Sequence, residues 1–315
     1  MKNRLSRAIF AGLALLLLGA ASMRAAAAQD SFQFGVIGHS FSGNPDDAVL
    51  RKALNESDAD SLAFVVVNGI KSVTEPCSDA LYSERRELLK EAENGVIVSL
   101  AASDWVGCRN KNGSIAIERL NRVRDLFFPD EFSFGASKVP LFRQSATPKF
   151  RSYTENARWE FGNILFATIN LPAANNHFLQ DGGRNSEFED RLIANRDWLQ
   201  RLFAFATQRK MAGIVLFSDG NPLTQPSQRP FLLRGQRDGF SETRQRITTL
   251  AGEFHGKVLL VHGENLKSES NAGILWRRNL GSIGVASGWS KFAVDNGKPN
   301  LFTLANETKS APASQ

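Results

Sequence analysis

Beyond residue 21 the chain has no apolar run of the roughly 20 residues that a spanning helix needs, which excludes a transmembrane helix in the body of the protein. It has two cysteines, Cys77 and Cys108, too few for a disulfide scaffold. It lacks internal repeats and low-complexity linkers, so neither a repeat array nor a domain boundary is expected. A net charge of one sign is also nearly missing. The full chain carries 38 basic and 32 acidic residues. Residues 1–28 hold four of the basic ones (Lys2, Arg4, Arg7, Arg24) and no acidic ones, which leaves 34 against 32, net +2. That balance excludes the concentrated basic stripe of a nucleic-acid binder. The sequence pI of 9.5 mostly reflects the leader.

What is present begins with that leader. Lys2, Arg4 and Arg7 precede an apolar stretch of about 14 residues, Ala8–Ala21, shorter than the roughly 20 of a spanning helix. Ala26-x-Ala28 supplies a cleavage pattern before Gln29, so residues 1–28 read as a signal peptide cut between Ala28 and Gln29. The alternative is an uncleaved N-terminal anchor. The expectation is a periplasmic or secreted protein, with no membrane attachment after cleavage. In an exported chain an even pair of cysteines points to one disulfide, Cys77–Cys108; two free thiols are the alternative. The rest, 42% hydrophobic, is large enough for a sizeable core.

Apolar strand-like runs alternate with helical segments. Phe32–Ile37 and "VIVSLAAS" read as strands, "AGIVLFSDGNP" and "KVLLVHGEN" each as a strand then a turn, and "SLAFVVVNG" as a continuous apolar run, the pattern of a strand covered on both faces. Helices are expected over Pro45–Asn55, over Asp79–Asn94 with Gly95 as the stop, over Ser114–Phe128 ahead of Pro129, over Ser186–Lys210 and over Glu242–Phe254. "ARWEFGNILFATINL" reads as a hairpin turning at Gly162-Asn163. After Gly281 short strands alternate with turns. One α/β domain over 29–307 with a mixed sheet system follows, ending in a polar disordered tail, 308–315.

Ligands of open α/β sheets lie beyond the carboxyl ends of the strands. Five ends therefore hold the candidates: "IGHSF", "VNGIKS", "AASDWVGC", "SDGNP" and "HGENL". Ser40, Asp219 and His262 occur in the chain order of an α/β-hydrolase triad, which would make Ser40 a nucleophile. However, Ser42 stands where Gly-x-Ser-x-Gly needs glycine, and few residues precede Ser40. A plain turn serine is the simpler reading.

The order and spacing of the five ends resemble the calcineurin-like metallophosphoesterase superfamily. The likeness is carried by "GIKS" with "CSDALY", "SDWVGC", "RLNRVRDLFFP", "ENARWEFGNILFATINLPAANN", "NRDWLQRLFAFA", "GNP", "LLVHGE" and "GWSKFAVDNGKPNLF". These blocks run in order from about residue 32 to 304. The resemblance implies a four-layer α-β-β-α sandwich, an exported branch of the superfamily, and a cleft that in the family holds two divalent metals activating a bridging hydroxide. The family's ligand positions fall on His39, Phe41, Gly69, Ser103, Gly220, Glu264 and Leu266, and its leaving-group histidine falls on Asp104. Asn175-Asn176 also matches a family block.

Phe, Gly and Leu side chains cannot coordinate a metal. The resemblance therefore implies a degenerate site, no expected cofactor and a pseudoenzyme with a binding or interaction role. The partner is unknown. The alternative is a remodelled hydrolase: a one-metal phosphoesterase holding a single divalent ion with His39, Asp219 and Glu264, with Asp104 and His262 nearby, or a Ser40 esterase. The structural alternative for the same residues makes Asp104 and Asp219 turn caps, Glu264 a solvated loop carboxylate, and His39 and His262 hydrogen-bonded side chains. Arg277-Arg278 reads as a solvated pair, or as a phosphate-holding pair. The five tryptophans, Trp105, Trp159, Trp198, Trp276 and Trp289, read as core or rim aromatics.

Overall fold

The computed structural model describes residues 31–38, 47–113, 116–180, 185–224, 237–264, 273–285 and 288–305. The leader with its Ala28–Gln29 junction, and the tail 308–315, lie outside the described residues.

Two mixed sheets form an α/β framework. The first has the order β12-β11-β1-β2-β3. Here β1 (Ser31–Ile37), β2 (Val65–Asn68) and β3 (Val96–Ser99) run parallel, and β11 (Trp289–Asp295) and β12 (Phe302–Leu304) add antiparallel at one edge. The second has the order β4-β5-β6-β7-β8-β10-β9. Its parallel centre is β6 (Ile164–Thr168), β7 (Gly213–Ser218), β8 (Lys257–His262) and β10 (Leu280–Gly284). The antiparallel edges are β4 (Phe142–Arg143) with β5 (Ala157–Phe161) on one side and β9 (Leu275–Arg277) on the other. The Gly162-Asn163 hairpin forms as expected, with Phe161 opposite Ile164.

Burial explains the continuous apolar strands. Along β7, Val215 and Phe217 enter one cluster and Ile214 and Leu216 another; along β8, Leu259 and Val261 alternate in the same way with Val258 and Leu260. With both faces covered, the period-2 alternation of a half-exposed strand disappears. The cluster between the sheets is aromatic. Phe34 of β1 stacks on Phe64 at 5.4 Å and on Phe292 at 5.1 Å, and meets Phe166 of β6 edge-on at 5.3 Å. A Phe side chain here contributes roughly 2–3 kcal/mol by burial alone.

The opposite face of the first sheet packs against α1 (Ala48–Asp58), α2 (Asp79–Lys90) and α3 (Glu118–Phe127) through Leu50, Leu54, Tyr82, Leu89, Leu120 and Phe127. The opposite face of the second packs against α5 (Ser186–Gln208) and α6 (Ser241–Glu253) through Trp198, Leu202, Phe203, Ile247 and Leu250. Between β6 and α5 lies the short turn α4 (Ala173–Asn176). Ser78 caps α2 by accepting from the Leu81 N–H at 3.2 Å. That helix ends at Lys90 instead of Asn94, because Asp58 accepts from the Glu93 and Asn94 N–H groups and draws them off the helical path. Gly95 is therefore no helix stop. A Cβ there would lie 2.4 Å from the Ser137 carbonyl, so its smallness admits a neighbouring chain.

Cys77 and Cys108 form a disulfide with a Cα–Cα distance of 5.8 Å, joining the approach to α2 to the loop beyond β3. Disulfide formation is compatible with a periplasmic or extracellular location. Among the described residues no helix is long and apolar enough to cross a membrane.

The bridge spans 31 positions, which in the chain-entropy model stabilises the fold by about 3–4 kcal/mol. A Cys77→Ala/Cys108→Ala variant is expected to lose about that much in urea unfolding relative to the oxidised wild type.

Candidate functional site

The carboxyl ends of β2, β3, β7 and β8 converge, and their side chains form three connected arrangements. The first is built on Asp104. After β2 the chain turns through Gly69 at φ +81°, a left-handed conformation that glycine adopts without Cβ strain. The turn brings the Ile70 and Lys71 N–H groups to Asp104 Oδ1, at 2.9 and 3.3 Å. After β3, a single 3-10 turn, Ala102–Asp104, folds back so that the Ala101 N–H donates to Asp104 Oδ2 at 2.8 Å. Asp104 is fully buried. Its own carbonyl accepts from the Tyr82 hydroxyl at 2.8 Å. Burial pushes the Tyr82 phenol up to about 12, with the Asp104 charge adding to that.

Lys71 lies buried alongside. Its Nζ donates to the Ser72 and Ser103 carbonyls. Burial lowers its pKa, and the charges of Asp104 and Glu75 only partly restore it. Glu75 accepts from Arg85 at 2.7 Å and from the Ser72 N–H at 2.8 Å, which fixes the loop that carries the lysine.

The second arrangement is Asp219, just past β7 and 5% exposed. Its Oδ2 accepts two backbone N–H groups at 2.7 Å, from Ala102 and from Ala173. Its carbonyl accepts from Gly263 at 2.9 Å and Glu264 at 3.1 Å. Glu264 Oε2 in turn accepts from the Asn221 N–H at 3.1 Å. Asp104 and Asp219 thus both accept backbone N–H groups of neighbouring turns. Glu264, by contrast, is engaged with the neighbouring loop and is not simply solvated.

The third arrangement lies one layer deeper. Asn68, Ser99 and His262 line a cavity of about 10 Å³, the size of a single water molecule. Among the described residues, Asn68 Nδ2 and Oδ1 and Ser99 Oγ have no hydrogen-bond partner, and both His262 ring nitrogens are buried beside them. Apolar β-strand neighbours such as Phe217, Val261 and Val285 surround the same space. Burial pushes the imidazole down to about 4, with the nearby Glu264 carbonyl only partly offsetting it. A Cβ on Gly263 would lie 1.9 Å from Asn68 Nδ2, so any larger residue there would displace the Asn68 amide.

His39, Ser40, Phe41 and Leu266 lie outside the described residues. Gly69, Ser103 and Gly220 stand on the converging loops, with Ser103 buried. Asp104, Asp219 and Glu264 are linked through backbone groups. Among the described residues Asp219 and His262 share no hydrogen bond. Among the described residues no group of three or more His, Cys, Asp and Glu side chains converges as a metal site requires.

His177 escaped the sequence reading. It follows Asn175-Asn176, and all three adopt left-handed backbone angles (φ 65, 56 and 52°). The Asn-Asn pair was the available signal, since asparagine tolerates that region. His177 Nδ1 lies 3.1 Å from Glu187 Oε2, and its ring meets Trp105 edge-on at 4.9 Å. Arg191 binds Glu187 and Asn176. Burial alone would raise the Glu187 pKa, but the Arg191 charge and the His177 and Arg191 hydrogen bonds outweigh it and hold the carboxyl near about 2. His177 Nε2 and Trp105 Nε1 are buried without partners.

A scan against protein-family models finds no match for this chain, and a search of curated proteins finds no significant relative.

Two outcomes are expected. Asp104→Ala strips three buried N–H groups of their acceptor, at about 1–3 kcal/mol each, so its urea unfolding free energy should fall by at least about 3 kcal/mol. The second concerns His262, whose folded pKa lies below its unfolded value near 6.5. The unfolded chain then binds the proton first. Stability is complete above pH 6.5 and falls as pH drops toward about 4, by up to about 3 kcal/mol. Urea midpoints of wild type and His262→Leu between pH 7.5 and 4 should show a shallower decline in the variant.

Proposed function

We propose that this chain is an exported metallophosphoesterase-like protein that has given up two-metal phosphoester hydrolysis for a binding or interaction role. The succession of helices, sheet, sheet and helices around three apolar clusters supports the four-layer α-β-β-α sandwich of that superfamily. So do the parallel strand centres, whose ends meet on one side.

One observation carries the functional half. The carboxylates that remain at the strand ends accept backbone N–H groups. Asp104 takes three of them and Asp219 two. Where the family pattern wants its bridging carboxylate stands Gly69, in a left-handed turn that itself delivers two of those N–H groups. A carboxylate that bridges two metals holds them close enough to share one hydroxide. With glycine at that position, in-line attack by a shared hydroxide has no scaffold. The converging loops form a rigid, hydrogen-bonded surface suited to recognition.

Metal analysis of the purified protein, with an aryl-phosphate assay under added manganese or zinc, tests this reading. The expected result is substoichiometric metal and turnover at the buffer rate. Stoichiometric metal with turnover abolished by His39→Ala or Glu264→Ala would establish the remodelled hydrolase instead.

A further inference from the structure

Away from the strand-end loops, a cavity of about 360 Å³ opens between α6 and the β9–β10 hairpin. That volume falls in the range of small-molecule sites. Its described lining carries three arginines, Arg244, Arg277 and Arg278, and no carboxylate. Leu223, Leu275 and Leu280 supply apolar wall, and Leu275 is 47% exposed.

Arg244 and the turn that carries Arg277 and Arg278 are held in place. Arg244 donates from Nε to the Pro222 carbonyl and from Nη1 to Asp238, both at 2.7 Å, while its Nη2 is buried with no acceptor. Arg277 and Arg278 are exposed, and neither has an ion-pair partner among the described residues. Arg278 sits at φ +58°, a conformation that side chains other than Gly, Asn and Asp seldom adopt. The turn cannot relax out of it. Asn279 Nδ2 donates to the carbonyls of Ala251, Phe254 and Gly256 at 2.7, 3.0 and 3.0 Å, pinning the hairpin to the end of α6. Backbone held in a sparsely populated region by its surroundings points toward function.

The geometry points to a binding site for a soluble organic anion with an apolar body, its carboxylate, sulfonate or phosphate head held by Arg244, Arg277 and Arg278 and its body against the leucines. Planar guanidinium groups suit such heads. The site is independent of the strand-end reading, although Asn221, which also lines it, donates its N–H to Glu264.

The test uses 1-anilinonaphthalene-8-sulfonate as the anionic probe and uncharged N-phenyl-1-naphthylamine as its control, followed by fluorescence on the full mature chain. Wild type is expected to bind the sulfonate saturably at one site, at least tenfold tighter than the neutral probe. Arg277→Ser/Arg278→Gly should weaken the sulfonate at least tenfold. The glycine also relieves the left-handed strain, so folding is preserved. Gly252→Leu should weaken both probes. A Cβ at that helical position meets nothing within 4 Å, so the new side chain occupies the cavity without a backbone clash. Equal affinity for the two probes, non-saturable binding, or unchanged binding in both variants at unchanged melting temperature overturns the proposal.

Discussion

One carboxylate oxygen, Asp219 Oδ2, joins the carboxyl ends of the two sheets. It accepts the Ala102 N–H from the loop that leaves β3 and the Ala173 N–H from the loop that leaves β6, both at 2.7 Å. Those donors lie on loops that leave different sheets. The rest of the strand-end region follows from this clamp. The position of Ala102 sets the 3-10 turn that aims Asp104 at the β2 loop. The Asp219 carbonyl sets the start of the β8 loop through Gly263 and Glu264. Buried carboxylates are costly unless hydrogen-bonded, and here backbone N–H groups serve that purpose. The Ala102 and Ala173 donors are thereby satisfied where the loops of the two sheets meet.

The two ends of the inter-sheet core contrast sharply. Around Phe34 the packing is aromatic and dry. At the strand ends the polar layer of Asn68, Ser99 and His262 interrupts it around a water-sized space, and the Asn68 and Ser99 side chains have no hydrogen-bond partner among the described residues. Buried polar groups in this state are the expensive part of a fold. A separate polar network joins His177 to Glu187 and Arg191 of α5.

Much of the framework was legible because strands covered on both faces leave an apolar run that no other element imitates. The five central strands and the Gly162-Asn163 hairpin were read on that basis. Edge strands β4 and β9 were not, since two or three residues carry no period. The end of α2 was missed because Asp58 acts from more than thirty positions away. The site divides along the same line. Asp104, Asp219, His262 and Glu264 were found through the rule that strand ends carry chemistry. What their side chains do was hidden, because Asp219 meets Ala102 across 117 positions. His177 stayed invisible because its partner Glu187 lies in the next helix, and nothing in the local pattern joins them.

The central claim is that the strand-end carboxylates hold backbone rather than metal. A metal that binds the folded state but not the unfolded one raises stability by RT ln(1 + [L]/Kd). Melting temperatures of wild type and Asp219→Asn, each with EDTA and with millimolar manganese or zinc, test the claim most directly. The account predicts no metal-dependent shift in either protein and a lower melting temperature in the variant under every condition. A wild-type rise of several degrees with metal, abolished in Asp219→Asn, would contradict it.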